Sequence, residues 1–120
     1  MKKEKGKVLY NFEDDIFSAR ALERGYDSSF QIGNFIFDLD KNNNVRGLEL
    51  INASKIFGVP RSFLKDMVSV KLEVIVSEKY IKINIQTKTK IRNANNTNSL
   101  SIERLRPEFI NPTNLNLAIA

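Results

Sequence analysis

Acidic and amide side chains in one stretch of the sequence have the spacing of a calcium loop. Asp38, Asp40 and Asn42 occupy alternate positions, and Glu49 closes the stretch. An EF-hand loop places oxygen ligands at positions 1, 3 and 5 and a bidentate Glu at position 12, with Gly at position 6 for the turn. Asn43 stands at the Gly position, and Asn tolerates positive φ. Asp38, Asp40, Asn42 and Glu49 are therefore candidate metal ligands.

The same stretch also fits a structural turn, because its flanks have the pattern of strands. The runs Ile32–Leu39 and Val45–Ile51 are apolar, and the segment 41–44 between them contains three consecutive Asn residues. Asn bonds its own backbone and favours turns. Two strand-like runs joined by such a turn predict a β-hairpin, with Asp38 and Glu49 nearly opposite each other. Calcium binding and a solvated turn both remain open.

The composition restricts the chemistry available to an enzyme. The 120 residues include no Cys and no His. This excludes disulfides, zinc sites built on thiolate or imidazole, and nucleophiles activated by His. A second carboxylate group, 13–15, lies on a different predicted strand from Asp38 and Asp40, and no spacing brings the two groups together. We therefore expect a non-enzymatic protein with no cofactor.

The net charge of +5 comes entirely from the second half of the chain. Residues 1–60 contain nine Lys/Arg and nine Asp/Glu, whereas residues 61–120 contain ten and five. A basic surface favours nucleic acid or an acidic protein partner, although the charge also serves solubility. Tyr80 is the only aromatic residue between 68 and 105, so phosphate contacts are better supported than base stacking. The candidate nucleic-acid ligands are Lys71, Lys82, Lys88, Lys90 and Arg92.

Hydrophobic alternation predicts most of the secondary structure. Asn52 is the expected N-cap of a short helix that ends at Gly58, and 60–67 is expected to form a second short helix. Segment 20–27 is predicted as a helical turn or a loop, and 28–31 as a strand paired with the strand before it. The other predicted elements are strands at 8–10 and 16–19, an amphipathic hairpin at 68–76 and 81–88, a polar loop at 93–98, and a strand around Leu100 and Ile102.

Residues 8–57 resemble a small prokaryotic family, domain of unknown function 2283. The matching segments are the tyrosine-acid segment Tyr10–Phe17, the strand Phe35–Asp40, the Gly-hydrophobic-Glu strand Val45–Leu50, and the helix start Asn52-Ala53-Ser54. The resemblance implies a small β-rich module with a helix and no assigned activity. Members are often described beside toxin-like genes, which suggests an antitoxin-like or accessory binding role.

These observations predict one α+β domain, a mostly antiparallel sheet built from hairpins with a short helical pair in the middle. Its parts are a hairpin module at 7–58, a helix and basic hairpin at 59–106, and a tail at 107–120. The tail alternates Leu115, Leu117 and Ile119 with polar residues. It is expected either to add an edge strand, on its own sheet or on a neighbouring subunit, or to be disordered. Because Ile75 falls on a polar face and the tail is expected to be poorly placed to reach its own core, we expect a homodimer that uses both. No run is apolar enough for a membrane span, so a cytoplasmic location is expected.

Overall fold

The computed structural model describes residues 4–23 and 26–119 as two β-sheets and two short helices. This confirms the prediction of mostly antiparallel sheets with a helical pair. No helix in those ranges is long and apolar enough to cross a membrane. The strands are β1 Gly6–Asn11, β2 Ile16–Ala21, β3 Tyr26–Ile32, β4 Phe35–Asp40, β5 Val45–Ile51, β6 Met67–Val76, β7 Tyr80–Ile91, β8 Ala94–Leu105 and β9 Asn114–Ile119; the helices are α1 Ala53–Phe57 and α2 Ser62–Lys65.

The first sheet has five strands in the order β1-β2-β5-β4-β3. The predicted hairpin across the Asn-rich turn is confirmed as β4 and β5. The expected partner of 28–31 was wrong, because β3 pairs with the following strand β4 and not with β2. The segment 20–27, predicted as a helical turn or a loop, is strand at both ends: Arg20 and Ala21 end β2, and Tyr26 and Asp27 begin β3. The bends at Leu22 and Glu23 belong to the connection between these strands. Arg24 and Gly25 lie outside the described residues.

The second sheet has four strands in the order β8-β7-β6-β9. The predicted amphipathic hairpin is confirmed as β6 and β7. The polar loop expected at 93–98 was wrong, because residues 94–98 form the first half of β8 and pair along β7. The tail forms strand β9, which pairs with β6 of its own chain. Leu115 and Leu117 are fully buried there, so the expectation that the tail cannot reach its own core was also wrong.

One hydrophobic core connects both sheets and both helices. Alternation along each strand supplies it, because every second side chain of a strand points to the same face. Phe35, Phe37 and Leu39 of β4 are buried on the predicted face, as are Ile81, Ile83 and Ile85 of β7. The sheets also meet at an edge, where Glu4 makes a parallel bridge with Leu117 of β9.

A carboxylate from elsewhere in the chain caps the first helix. Asn52 precedes α1 as predicted, but its backbone is left-handed (φ 57°) and its side chain makes no capping bond. The backbone N–H of Ser54 instead donates to Asp15 Oδ1 at 3.0 Å. Gly58 ends α1 with φ 72°, as predicted. The second helix is shorter than expected, because Met67 already belongs to β6.

The connection between β8 and β9 holds the Asn-rich turn in place. The backbone N–H of Asn111 donates to Asn43 O at 3.0 Å, and its side-chain amide donates to Asn42 O. Ile110 is buried, and the ring of Phe109 packs edge-on against Phe30 at 4.8 Å between centroids. The turn is thus part of the contact between the two sheets.

Candidate functional site

Four of the predicted nucleic-acid ligands lie on one exposed face of the four-stranded sheet. Alternation places Lys82, Lys88 and Lys90 opposite the buried side of β7. Lys71 of β6 is exposed on the same face and lies directly across from Gln86. At ~3.3 Å per residue, the β7 lysines extend over roughly 26 Å of this surface. We call this surface the lysine face; it consists of Lys71, Lys82, Lys88 and Lys90 with the polar residues between them.

Amides and hydroxyls fill the middle of the lysine face. Ser101 Oγ donates to Asn84 Oδ1 at 2.7 Å, and Asn84 Nδ2 donates to Glu73 Oε1 at 3.0 Å. The three residues form one row across β8, β7 and β6, and Asn116 of β9 extends it. A shallow cavity of about 520 Å³ lies over this row and over Lys71 and its neighbours. Donors and acceptors therefore alternate between the lysines.

The positive charge is concentrated at one end of the lysine face. Residues 79–102 contain five Lys/Arg and no Asp/Glu. Arg92, the fifth predicted ligand, lies in the turn between β7 and β8 with φ 50°, followed by Asn93 with φ 65°. Two successive positive φ values are typical of a two-residue hairpin turn, where Gly and Asn are the usual residues. Arg92 is thus exposed at the tip of the β7–β8 hairpin, which extends two residue pairs beyond the end of β6.

Apolar residues mark the opposite end of this face. Tyr80 pairs with Leu105 across β7 and β8, and both are exposed, Leu105 by 74%. Ile75 of β6 is half-buried one row away, opposite Lys82. The face therefore runs from an apolar end to a basic end.

The predicted metal ligands divide between two places on the first sheet. Asp38 and Glu49 line one cavity on its outer face, and Asp40 and Asn42 line another at the turn. Asp40 accepts bonds from the backbone N–H groups of Asn42 at 2.9 Å and Asn44 at 3.0 Å, so its carboxylate closes the turn. Across residues 4–23 and 26–119, no group of three or more His, Cys, Asp or Glu could hold a metal ion.

A buried cluster around Asp15 was not found from the sequence. Tyr10 donates its hydroxyl to Asp15 Oδ1 at 2.6 Å, Ser54 donates its hydroxyl to Oδ2 at 2.7 Å, and Arg61 Nε lies 3.9 Å from Oδ2. Burial alone raises the pKa of Asp15, but these hydrogen bonds and the charge of Arg61 outweigh it and hold the pKa below its ordinary value. Burial and the carboxylate raise the pKa of Tyr10.

The Asp15 cluster stabilises the fold and has little hydrogen-bonding capacity left to bind a substrate. Both carboxylate oxygens already accept bonds from within the chain. It joins two of the segments that carry the family resemblance, namely the tyrosine-acid segment Tyr10–Phe17 and the helix start Asn52-Ala53-Ser54. A sequence cannot indicate this meeting, because Asp15 and Ser54 are joined only through the pairing of β2 with β5.

Comparison with known proteins gives two distant relatives. The chain is 26% identical to an uncharacterised protein of Methanocaldococcus jannaschii over 83 residues, which covers 68% of this chain and 72% of the relative. It is 24% identical over 87 residues to a protein of Methanosarcina mazei named as a putative hypoxanthine phosphoribosyltransferase. This alignment covers 72% of this chain and 71% of the relative. No family model matches the chain, and no solved structure matches it. The resemblance to domain of unknown function 2283 therefore stays a prediction.

Proposed function

We propose that this protein is a non-catalytic binding module whose lysine face contacts the phosphate backbone of nucleic acid. The observation that carries the proposal is the convergence of Lys71, Lys82, Lys88 and Lys90 on one open face. The stretch 79–102 contains no acidic residue, and its Arg92 lies at the tip of the β7–β8 hairpin. At 24% identity, the activity named for the Methanosarcina relative is not carried over to this chain.

The lysines of this face have no acidic partners among the described residues. The three ion pairs in that part of the chain take their carboxylates from Glu4, Asp15 and Glu49, all outside the second sheet. Two acidic residues share the face. Asn84 already donates to the carboxylate of Glu73, and Glu103 lies directly across from Lys82 but forms no ion pair with it. Unpaired ammonium groups can replace the counterions that surround a nucleic acid, and the release of those ions drives association.

The conformation at the tip also supports a role in binding. Arg92 adopts φ 50°, a region that costs a residue with a side chain about 1 kcal/mol. Gly or Asn would fit this turn at lower cost. A cation at this exposed position contributes little to folding, so it is available to a binding partner.

The test is binding of the full chain to duplex DNA, measured by fluorescence anisotropy over a series of salt concentrations. We expect affinity to fall steeply with salt and to depend little on base sequence. Lys88→Gln with Lys90→Gln should weaken binding and lower the log–log salt slope by roughly 2, about 1 for each phosphate that is no longer neutralised. Lys7→Gln with Lys41→Gln removes the same charge from exposed sites on β1 and in the Asn-rich turn. This control should bind almost as well as the wild type.

Equal reductions in affinity in both double variants would mean that net charge alone drives binding, and the lysine face would then have no special role. No binding at low salt would reject the nucleic-acid function. Solubility or an acidic protein partner would then account for the charge.

Self-association is a second candidate, and the edge of β8 favours it. This twelve-residue strand ends its sheet, so no described strand pairs with its outer side. Long unpaired edges invite pairing with another chain. Exposed Leu105 and Tyr80 lie at one end of that edge. Closed two-fold dimers are the commonest assembly and would bury both.

Light scattering tests the dimer, with Leu105→Lys as the informative variant. A dimer of the wild type that becomes a monomer in Leu105→Lys supports the β8 interface. Leu9→Lys changes a similarly exposed leucine on β1 and should leave the assembly unchanged. Shortening the chain at Pro112 is a poor test, because it removes β9, whose Leu115 and Leu117 are buried in the core of its own chain. A monomeric wild type at micromolar concentration ends this proposal.

A further inference from the structure

The outer face of the five-stranded sheet contains a cavity beside Gly47 of β5. Arg20, Gly47, Asp38 and Ser29 form one row across β2, β5, β4 and β3. Gly47 contributes no side chain to this row, and β2 packs closely over it: a Cβ on Gly47 would lie 2.8 Å from the Cβ of Arg20. The residue at this position therefore has to be glycine, and the cavity lies beside it. The cavity measures about 330 Å³, and its walls include Tyr26, Ile36 and Glu49.

Asp38 is the unusual member of this row. It is only 7% exposed and lines the cavity. No hydrogen bond or ion pair joins its carboxylate to another residue in the part of the chain that the structure describes. Polar groups of side chains this buried are normally hydrogen-bonded. The carboxylate oxygens of Asp38 are not fully enclosed, so a group in the cavity can reach them. Asp40, two residues along the same strand, illustrates the normal case, because backbone N–H groups satisfy it.

The charges around the cavity leave Asp38 unbalanced. Arg20 Nη2 lies 3.8 Å from Glu49 Oε1, so these two residues compensate each other. Asp38 then contributes one uncompensated negative charge. A divalent metal would require further oxygen ligands of negative charge, and the described residues offer no such group of three. A singly charged group matches the cavity better than a metal ion does.

We propose that the cavity around Gly47 binds an organic cation, an ammonium or guanidinium group, with Asp38 as its counter-ion. The planar fork of a guanidinium can donate two parallel hydrogen bonds to one carboxylate. The Ser29 hydroxyl can accept a further bond, and Ile36 offers apolar surface to the carbon chain that carries the cation. The volume is at the lower end of the range for small-molecule sites. The cation belongs either to a free small amine or to a Lys or Arg side chain of a protein partner.

Isothermal titration calorimetry of the full chain distinguishes the two sources. One arm uses agmatine, a free molecule with both cationic groups, and the other uses a capped tripeptide with a central arginine. Binding of either supports the site, and the tighter ligand identifies the source. Asp38→Asn keeps the shape of the side chain without its charge and should weaken binding at least about tenfold. Asp66→Asn removes the same charge from an exposed position outside the sheet and should change nothing.

A second variant predicts the opposite effect. Arg20→Gln removes the partner of Glu49 and leaves two carboxylates for the ligand, so cation binding should become severalfold tighter. If the cavity instead bound an anion through Arg20, Arg20→Gln would weaken that binding. The melting temperature of Asp38→Asn without ligand should stay close to that of the wild type, because the Asp38 carboxylate makes no hydrogen bond or ion pair with the described residues. A matching melting transition shows that the variant folds and keeps the binding result interpretable.

Three results would overturn the inference. These are no binding of either probe at millimolar concentration, equal binding to wild type and Asp38→Asn, or binding of calcium alone. The inference does not depend on the lysine face, which belongs to the other sheet. Lys88→Gln with Lys90→Gln should therefore leave agmatine binding unchanged, so either proposal can fail without the other.

Discussion

The two sheets use their charged side chains differently. On the five-stranded sheet, Asp15 caps a helix, Asp40 closes a turn, and Arg46 donates to Glu4 at 3.1 and 2.5 Å. On the four-stranded sheet, the lysines point outward without acidic partners among the described residues, and Glu73 is held by a neighbouring side chain. A charge that the fold already uses is poor evidence for function. The charges left over, Asp38 on one sheet and the lysine face on the other, are the better guide.

Asp15→Ala tests whether the first sheet uses its charges to stabilise the fold. The change removes one carboxylate and leaves Tyr10, the Ser54 hydroxyl and the Ser54 backbone N–H without their acceptor. We expect the free energy of unfolding to fall by about 3–5 kcal/mol in urea denaturation. Asp14→Ala alters the adjacent exposed residue and should cost less than about 1 kcal/mol. Equal decreases in the free energy of unfolding for Asp15→Ala and Asp14→Ala would show that the Asp15 cluster does not stabilise the fold.

The second prediction concerns the tail. Leu117 is fully buried in β9, whereas Leu105 of β8 is 74% exposed in the same sheet. Leu117→Ala should lower the free energy of unfolding by about 2–5 kcal/mol, because it leaves a cavity in the core. Leu105→Ala should stay within about 0.5 kcal/mol of the wild type. A small effect of Leu117→Ala would mean that β9 contributes little to the sheet.

The third prediction uses pH to isolate the bond between Tyr10 and Asp15. The folded pKa of Tyr10 is raised, so its contribution is complete below the unfolded pKa of ~10 and is lost as pH rises above it. The folded pKa of Asp15 is lowered, so its contribution is complete above ~4 and is lost as pH falls below that value. Tyr10→Phe should cost about 2 kcal/mol at neutral pH and flatten the alkaline loss. An unchanged alkaline profile in urea denaturation would contradict this assignment.

The smallest expected effect comes from two buried threonines on the inner side of β7. The hydroxyl of Thr87 has no partner among the described residues, whereas the hydroxyl of Thr89 donates to Phe63 O. Thr87→Val should raise the free energy of unfolding by about 1 kcal/mol, and Thr89→Val should lower it by a similar amount. Thermal unfolding of the two variants measures both changes. Destabilisation in both would show that the Thr87 hydroxyl is hydrogen-bonded in solution.

Alternation and turn chemistry predicted most of the strands. They identified the hairpin across the Asn-rich turn, the β6–β7 hairpin and the exposed side of β7. They failed at 94–98, because Asn is a poor strand residue and only pairing with β7 makes that segment a strand. They also failed at Asn52, where a distant carboxylate supplies the cap that a local pattern assigns to the nearest side chain.

The candidate sites divide in the same way. Local alternation was enough to place Lys71, Lys82, Lys88 and Lys90 on one side of a hairpin, although their role in binding stays a prediction. The cavity around Gly47 depends on four strands meeting in register, with one residue from each. No window of the sequence contains that information, because each register follows from the packing of the whole sheet.

The late position of β9 along the chain affects how the protein folds during synthesis. Strand β6 pairs with β7 locally, but its other edge stays unpaired until residues 114–119 have emerged. At ~5–20 residues per second, a ribosome takes several seconds to reach them from β6. During that interval the apolar side chains of β6 are open to other chains. The nascent protein is thus most prone to aggregate just before its last strand arrives.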